Sequence, residues 1–195
     1  MRIMRLRGKK LGVIGFGRIG QAVSAKAQAF GLKVFAYDPY TSQCKGSLNG
    51  AEMVDFKTLL QESDFVSLHC PLTTETTNLI SAPEFNIMKH DSFLINAARG
   101  PLVDEEALYE ALKNGRIAGA GVDVLTESSP PSDHPLFKLP NLIVTPHVAF
   151  FSQESTLELE QRAAAEVVRV LNNEMPENLI NPNVIDHSRA NFFGK

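Results

Sequence analysis

The sequence predicts an α/β domain, a doubly wound parallel sheet with helices on both faces. Three observations carry that expectation. Short apolar runs alternate with longer segments of helical period along the chain. The runs are apolar throughout and rich in β-branched residues, the pattern of strands buried on both faces. A glycine-rich turn, "VIGFGRIG" at 13–20, joins the first run to the first helical segment.

The elements follow in order. Lys10 to Phe16 reads as the first strand, bounded by glycine. Gly17 to Phe30 reads as a helix, with Ile19, Val23 and Ala27 at near-fourfold spacing and Gly31 as its stop. Lys33 to Tyr37 is the second strand, closed by Asp38-Pro39. Phe56 to Gln61 is a short helix, and Phe65 to His69 another strand. Ser81 opens a helix, with Glu84 three residues on as the second half of a capping box. Ser92 to Asn96 is a strand. Asp104 caps the helix "DEEALYEALKNG", whose Leu108 and Leu112 face inward and whose Gly115 ends it. Ile117 to Leu125 is a strand, Ser128 to Pro140 a proline-rich loop, and Leu142 to Val144 the last strand. Ser152 caps a long helix reaching Leu171.

Composition excludes several classes. The chain has 195 residues, 44% hydrophobic and 21% charged, with a net charge of -3. Nothing in that balance favours nucleic acid or a membrane surface as a partner. Cys44 and Cys70 are the two cysteines, too far apart for a CxxC pair, so no disulfide framework and no zinc site is expected. No apolar run approaches the roughly 18 residues of a transmembrane helix. The basic start "MRIMRLRGKK" runs into a strand instead of a cleavage site, so it does not read as a signal peptide. The default compartment is a reducing cytoplasm.

The glycine turn has the full context of a dinucleotide site. Gly15-x-Gly17-x-x-Gly20 has a strand before it and a helix after it, and Asp38 lies about 20 residues on. Gly15 permits the tight turn, Gly17 lets a pyrophosphate approach, and Gly20 lets helix and strand pack closely. Arg18 and Ile19 complete the turn. The phosphates sit at the helix N-terminus, where free N–H groups and the helix dipole favour anions. Asp38 accepts from the adenosine ribose. A 2′-phosphate beside it is repelled by on the order of 4 kcal/mol at an effective dielectric near 20, so NAD is expected over NADP.

Five blocks extend this reading. They are "LRGKKLGVIGFGRIG", "LHCPLTTETTNLI", "LINAARGPLVDEEAL", "GVDVL" and "TPHVA". With them the chain, from about Leu6 to Val184, resembles the NAD-binding domain of the D-isomer-specific 2-hydroxyacid dehydrogenases. The resemblance implies that Arg99 holds the substrate's carboxylate and 2-oxo group, as its planar fork suits. It implies that His147 is the general acid, and in reverse the base, at the carbonyl oxygen. Cys70, Pro71, Thr76, Ala97, Ala98 and Asp123 line the cofactor, with Asp123 facing the nicotinamide. Arg99 and His147 each follow a strand, where open α/β sheets build sites. His69 reads as structural lining, and His90, His134 and His187 carry no assignment. Cys70 has no neighbouring base and reads as a packing residue.

Two departures from the family pattern bear on function. The family pairs its histidine with a glutamate in a segment resembling Asp-Val-x-x-x-Glu-Pro. Counting from Asp123, that place holds Ser128, and Glu127 stands one residue early. Glu127 is therefore the candidate partner of His147. The family also places a substrate domain of about 100 residues before this one. Residues 1–177 are expected to form the dinucleotide domain. The tail 178–195, which in the family returns to the substrate domain, is expected to be mobile or to cross to another subunit.

The resemblance implies an oxidoreductase that passes hydride between NADH and a small 2-oxo acid, weak or inactive as this short chain and paired as a homodimer. The other reading is a non-enzymatic NAD(H)-binding sensor. Phe150-Phe151 after "HVA" resembles the C-terminal-binding-protein branch, with its transcriptional corepressors, more than the phosphoglycerate dehydrogenases. Against that hint, the pair also suits two core aromatics at a helix entrance.

Overall fold

The computed structural model describes residues 4–41 and 47–183. Cys44, His187 and the tail beyond residue 183 lie outside them. The elements run β1 (Lys10–Ile14), α1 (Arg18–Ala29), β2 (Lys33–Tyr37), β3 (Ser47–Leu48), β4 (Ala51–Met53), α2 (Phe56–Glu62), β5 (Phe65–Leu68), α3 (Ala82–Ile87), β6 (Phe93–Asn96), α4 (Glu105–Lys113), β7 (Gly119–Val122), β8 (Leu142–Val144) and α5 (Gln153–Leu171). Short 3-10 turns cover Gly100–Leu102 and Pro135–Lys138. The chain divides into two compact units, Met1–Ala149 and Phe150–Lys195.

The first unit holds one sheet in the order β3-β4-β2-β1-β5-β6-β7-β8. Every pairing is parallel except β3 with β4. From β1 the order runs outward in both directions, first through β2 and then through β5. This reversal is the switch point at which open α/β sheets bind ligands.

Strand alternation divides the core in two. Leu11 and Val13 of β1, with Val34 and Ala36 of β2, pack with Ala27 of α1. Ile14 and Phe35 point the other way, into the larger cluster with Leu59 and Leu60 of α2, Phe85 of α3 and Leu108 and Leu112 of α4. Period 2 in the strands thus places α1 on one face and α2, α3 and α4 on the other. The expected caps form. Asp104 accepts from Ala107 N at 3.0 Å. Ser81 donates from its backbone N and its Oγ to Glu84 Oε2 at 3.0 and 2.7 Å.

Four expectations need correction. Ile19 is 67% exposed, and the buried residues of α1 are Gly20, Ser24 and Ala27. Small residues form that face because α1 lies close against the sheet. The strand expected over 117–125 is shorter, since Val124 and Leu125 leave the ladder to line a cavity. The sequence reading also missed β3 and β4, whose few residues show no apolar run. Phe150 and Phe151 are 56% and 63% exposed, so they are not core aromatics.

The second unit is built on α5. Its N-terminus is capped reciprocally, with Ser155 N donating to Ser152 Oγ at 3.0 Å and Ser152 N to Ser155 Oγ at 2.8 Å. Arg169 pairs with Glu174 and Glu177 after the helix ends. No residue of α5 is buried. Among the described residues no helix is long and apolar enough to cross a membrane.

Candidate functional site

The glycine turn divides its work among three positions. Gly15 has φ +90, and a Cβ there would lie 2.5 Å from Cys70 N, so the backbone leaving β5 closes directly over it. A Cβ on Gly20 would lie 2.1 Å from Gly15 O. Gly17 differs. It is exposed, its φ is -74, and a Cβ would meet nothing within 4 Å. The protein's own packing does not need glycine there. The open cradle suits a ligand that comes close to the backbone. Among the described residues no side chain caps α1, which leaves its first N–H groups open to an anion. The residues present therefore fit a dinucleotide pyrophosphate.

Asp38 ties the turn to the end of β2. Its Oδ2 accepts from Phe16 N at 2.8 Å, and its Oδ1 accepts from Tyr40 N at 2.9 Å and Thr41 N at 3.1 Å. A carboxylate has about four acceptor positions, so Oδ2 keeps one for a ribose hydroxyl. A cavity of about 160 Å³ lies here, and Gly15, Gly17, Asp38, Tyr40, Cys70 and Pro71 are among its lining. Burial pushes the Cys70 thiol pKa up, and the charge of Asp38 adds to that, so the thiol stays protonated. His69 lines the same cavity with Nε2 2.9 Å from Ser67 Oγ, and burial lowers its pKa. Thr76 Oγ1 donates to Pro71 O at 2.7 Å, holding the turn that carries Pro71.

A larger cavity, about 630 Å³, opens beyond the C-terminal ends of β6, β7 and β8. Arg99, Asp123, Glu127, Ser128, Phe137 and His147 are among its lining. Buried Asn96, the last residue of β6, shapes the turn to Arg99. Its Nδ2 donates to Arg99 O at 2.9 Å, and its Oδ1 accepts from Ala98 N at 3.1 Å. Arg99 Nη1 donates to Ala98 O at 2.7 Å.

Asp123 shapes the turn that carries His147. It is buried. Its Oδ1 accepts from Thr145 Oγ1 and from Val148 N, and its Oδ2 accepts from Ala149 N. His147 N donates to Asp123 O at 2.8 Å. His147 sits at φ +56, in the left-handed region. A non-glycine residue there costs about 1–2 kcal/mol, and such strain persists where surrounding bonds over-determine it. Burial acts to raise the Asp123 pKa. The Thr145 hydroxyl, the Ala149 and Val148 amides and the charge of His147 outweigh it and hold the carboxyl below its usual range. A depressed folded pKa contributes stability that is complete above the unfolded value of about 3.9 and is lost as pH falls through the folded value. Thermal unfolding between pH 7 and pH 2 is expected to show a first loss below about pH 6.5 from His69, whose folded pKa is lowered, and a further loss below about pH 4 to which Asp123 contributes. That further loss is expected to be shallower in Asp123→Asn.

The structure gathers the sequence candidates into two groups. Gly15, Gly17, Asp38, Cys70 and Pro71 share one cavity, and Arg99, Asp123, Glu127 and His147 share the other. Arg18, Ile19, Gly20, Thr76, Ala97 and Ala98 line neither. Gly20 and Thr76 act by supporting the turns, and Ala97 and Ala98 lie on the bend to Arg99. Sequence reasoning missed Asn96 and Thr145. The available signal for Asn96 was a polar residue closing the apolar run "FLI".

Residues 1–149 match the family model described as D-isomer specific 2-hydroxyacid dehydrogenase, NAD binding domain. The chain belongs to that family, and its cofactor is NAD. It is 44% identical over 183 residues to a glyoxylate reductase of Thermococcus litoralis, covering 94% of this chain and 55% of that protein. It is 43% identical over 183 residues to a D-3-phosphoglycerate dehydrogenase of Methanocaldococcus jannaschii, covering 93% and 35%. Among solved structures, D-lactate dehydrogenase with NAD+ from Lactobacillus jensenii superposes with a TM-score of 0.80 at 37% identity, covering 91% of this chain and 57% of that one. The chain thus spans about half the length, or less, of the curated relatives it matches.

Proposed function

We propose that this chain is the cofactor-binding part of a dehydrogenase that interconverts a small 2-oxo acid and its 2-hydroxy acid. The observation that carries the reading is one cavity shared by Arg99, Glu127 and His147 at the strand ends. The bound nicotinamide supplies hydride transfer. Gly15, Gly17 and the first turn of α1 hold its pyrophosphate, and Asp38 accepts from the ribose and disfavours a 2′-phosphate. Arg99 holds the substrate carboxylate and 2-oxo oxygen by paired hydrogen bonds. His147 gives a proton to that oxygen in reduction and takes it back in oxidation. Glu127, on the wall of the same cavity, is the carboxylate that would partner His147. The same reading takes 1–177 as the dinucleotide domain, 178–195 as the segment that leads to a substrate domain, and a homodimer as the assembly.

The test is NADH oxidation with a panel of small 2-oxo acids, with NADH binding titrated in the same samples. NADH binding with weak turnover is expected of this chain. His147→Ala is expected to lower it by about 10²–10⁴-fold, the usual worth of a general acid. Arg99→Ala is expected to raise KM and lower kcat together, with NADH affinity kept. NADH binding without turnover across the panel overturns the reading in favour of a cofactor-sensing module.

A further inference from the structure

Glu127 and Ser128 reach the larger cavity on a loop without regular structure, between the end of β7 and the 3-10 turn Pro135–Lys138. Such a loop needs something to hold it if its side chains are to keep a fixed place beside Arg99. Glu105, the first residue of α4, supplies that hold. One oxygen of its carboxylate accepts the Thr126 backbone N–H. The other lies 3.8 Å from His134 Nε2. Both side chains are largely shielded, at 22% and 21% exposure. Thr126 and His134 bracket the loop, so a single carboxylate engages both of its ends.

Three further contacts agree. His134 Nδ1 accepts from Leu136 N at 3.4 Å, which leaves the ring proton on Nε2, directed at Glu105. The His134 ring also packs 5.5 Å from that of Phe137, which lines the cavity. On the other side, a Cβ on Gly100 would lie 2.2 Å from Leu125 O and 2.5 Å from Thr126 N. The backbone of the Arg99 turn therefore touches the loop where it begins. Glu105, the Arg99 turn and the loop carrying Glu127 form one connected body.

We propose that Glu105 is a positioning residue. With His134 it staples residues 127–133 at both ends and sets where Glu127 and Ser128 stand relative to Arg99. The proposal rests on reading this cavity as the reaction site. The chemistry requires a carboxylate. One Glu105 oxygen accepts the Thr126 N–H and the other faces His134 Nε2 at 3.8 Å, whereas glutamine at this place sets an NH2 donor toward one of the two. Alanine removes both the Thr126 bond and the His134 contact but keeps a strong helix former in the first turn of α4.

The test compares the full chain with Glu105→Ala, Glu105→Gln and His134→Gln by backbone amide exchange, NADH titration and steady-state kinetics. Circular dichroism confirms folding. In Glu105→Ala, exchange at Thr126 and across 127–133 is expected to rise at least tenfold, with β1 and β2 unchanged. Glu105→Gln is expected to keep the Thr126 amide protected while His134→Gln frees the far end. With a 2-oxo acid, Glu105→Ala is expected to lower kcat about tenfold, and Glu105→Gln to recover part of it. Unchanged exchange in Glu105→Ala overturns the staple. Faster exchange with unaltered kcat and KM overturns its positioning role. A wild-type chain that binds NADH without turnover overturns the reading of the cavity instead, and the exchange data then leave Glu105 a purely structural tether.

Discussion

Gly17→Val is expected to abolish NADH binding while leaving the fold intact, and Gly20→Ala to damage both. The two glycines belong to one motif, but their surroundings differ. A Cβ on Gly17 meets nothing within 4 Å, and its φ of -74 suits any residue. Valine there stands only in the space that a pyrophosphate must enter. A Cβ on Gly20 meets Gly15 O at 2.1 Å, and backbone cannot swing aside as a flexible side chain does. Separating α1 from the turn costs about 1–3 kcal/mol, a large share of a marginal total stability. The measurement is NADH fluorescence titration with thermal unfolding on the same samples. An affinity loss of at least 100-fold in Gly17→Val with an unchanged melting temperature is the expected pattern. Tight binding in Gly17→Val would mean that the cofactor does not pass over this turn.

Asp123→Ala is expected to cut turnover by about 10²-fold or more, a larger effect than its cost in stability. The carboxylate is the common acceptor for Thr145, Val148 and Ala149, and these bonds fix the turn on which His147 is held at a positive φ. Without it the turn relaxes toward ordinary backbone angles and the imidazole leaves its place on the cavity wall. Val148 and Ala149 are exposed, so water takes over their N–H groups, and the stability loss stays within about 1–3 kcal/mol. Asp123→Asn is informative beside it. Its amide accepts at one oxygen but presents an NH2 group where a carboxylate oxygen had accepted, so partial repair of the turn with incomplete recovery of kcat is expected. If kcat in Asp123→Ala matches the wild type while His147→Ala is inactive, the turn does not depend on Asp123.

Much of the fold was legible because it rests on local rules. Apolar β-branched runs, caps at Asp104 and Ser152, and the positive φ of Gly15 and Gly115 follow from chain chemistry within a few residues. The spacing of Ile19, Val23 and Ala27 marks α1 as a helix but does not show how closely α1 lies on the sheet. At close range the small residues Gly20, Ser24 and Ala27 fit, and Ile19 is left at 67% exposure. The edge strands β3 and β4 were missed because two or three residues carry no period, and their pairing depends on a neighbour already in place.

The candidate site divides in the same way. By itself the sequence determined the glycine turn, the acidic residue after β2 and the identities of Arg99, Asp123, Glu127 and His147, because residue type and short spacing carry that chemistry. Only the tertiary structure decided what holds them. Asp123 secures a turn 24 residues further on, and Glu105 spans from Thr126 to His134. Such bonds join residues distant in the chain that meet only when parallel strands bring their ends to one edge. Hydrogen bonds are short-ranged and directional, so the partner of a buried carboxylate is set by where the backbone arrives in space.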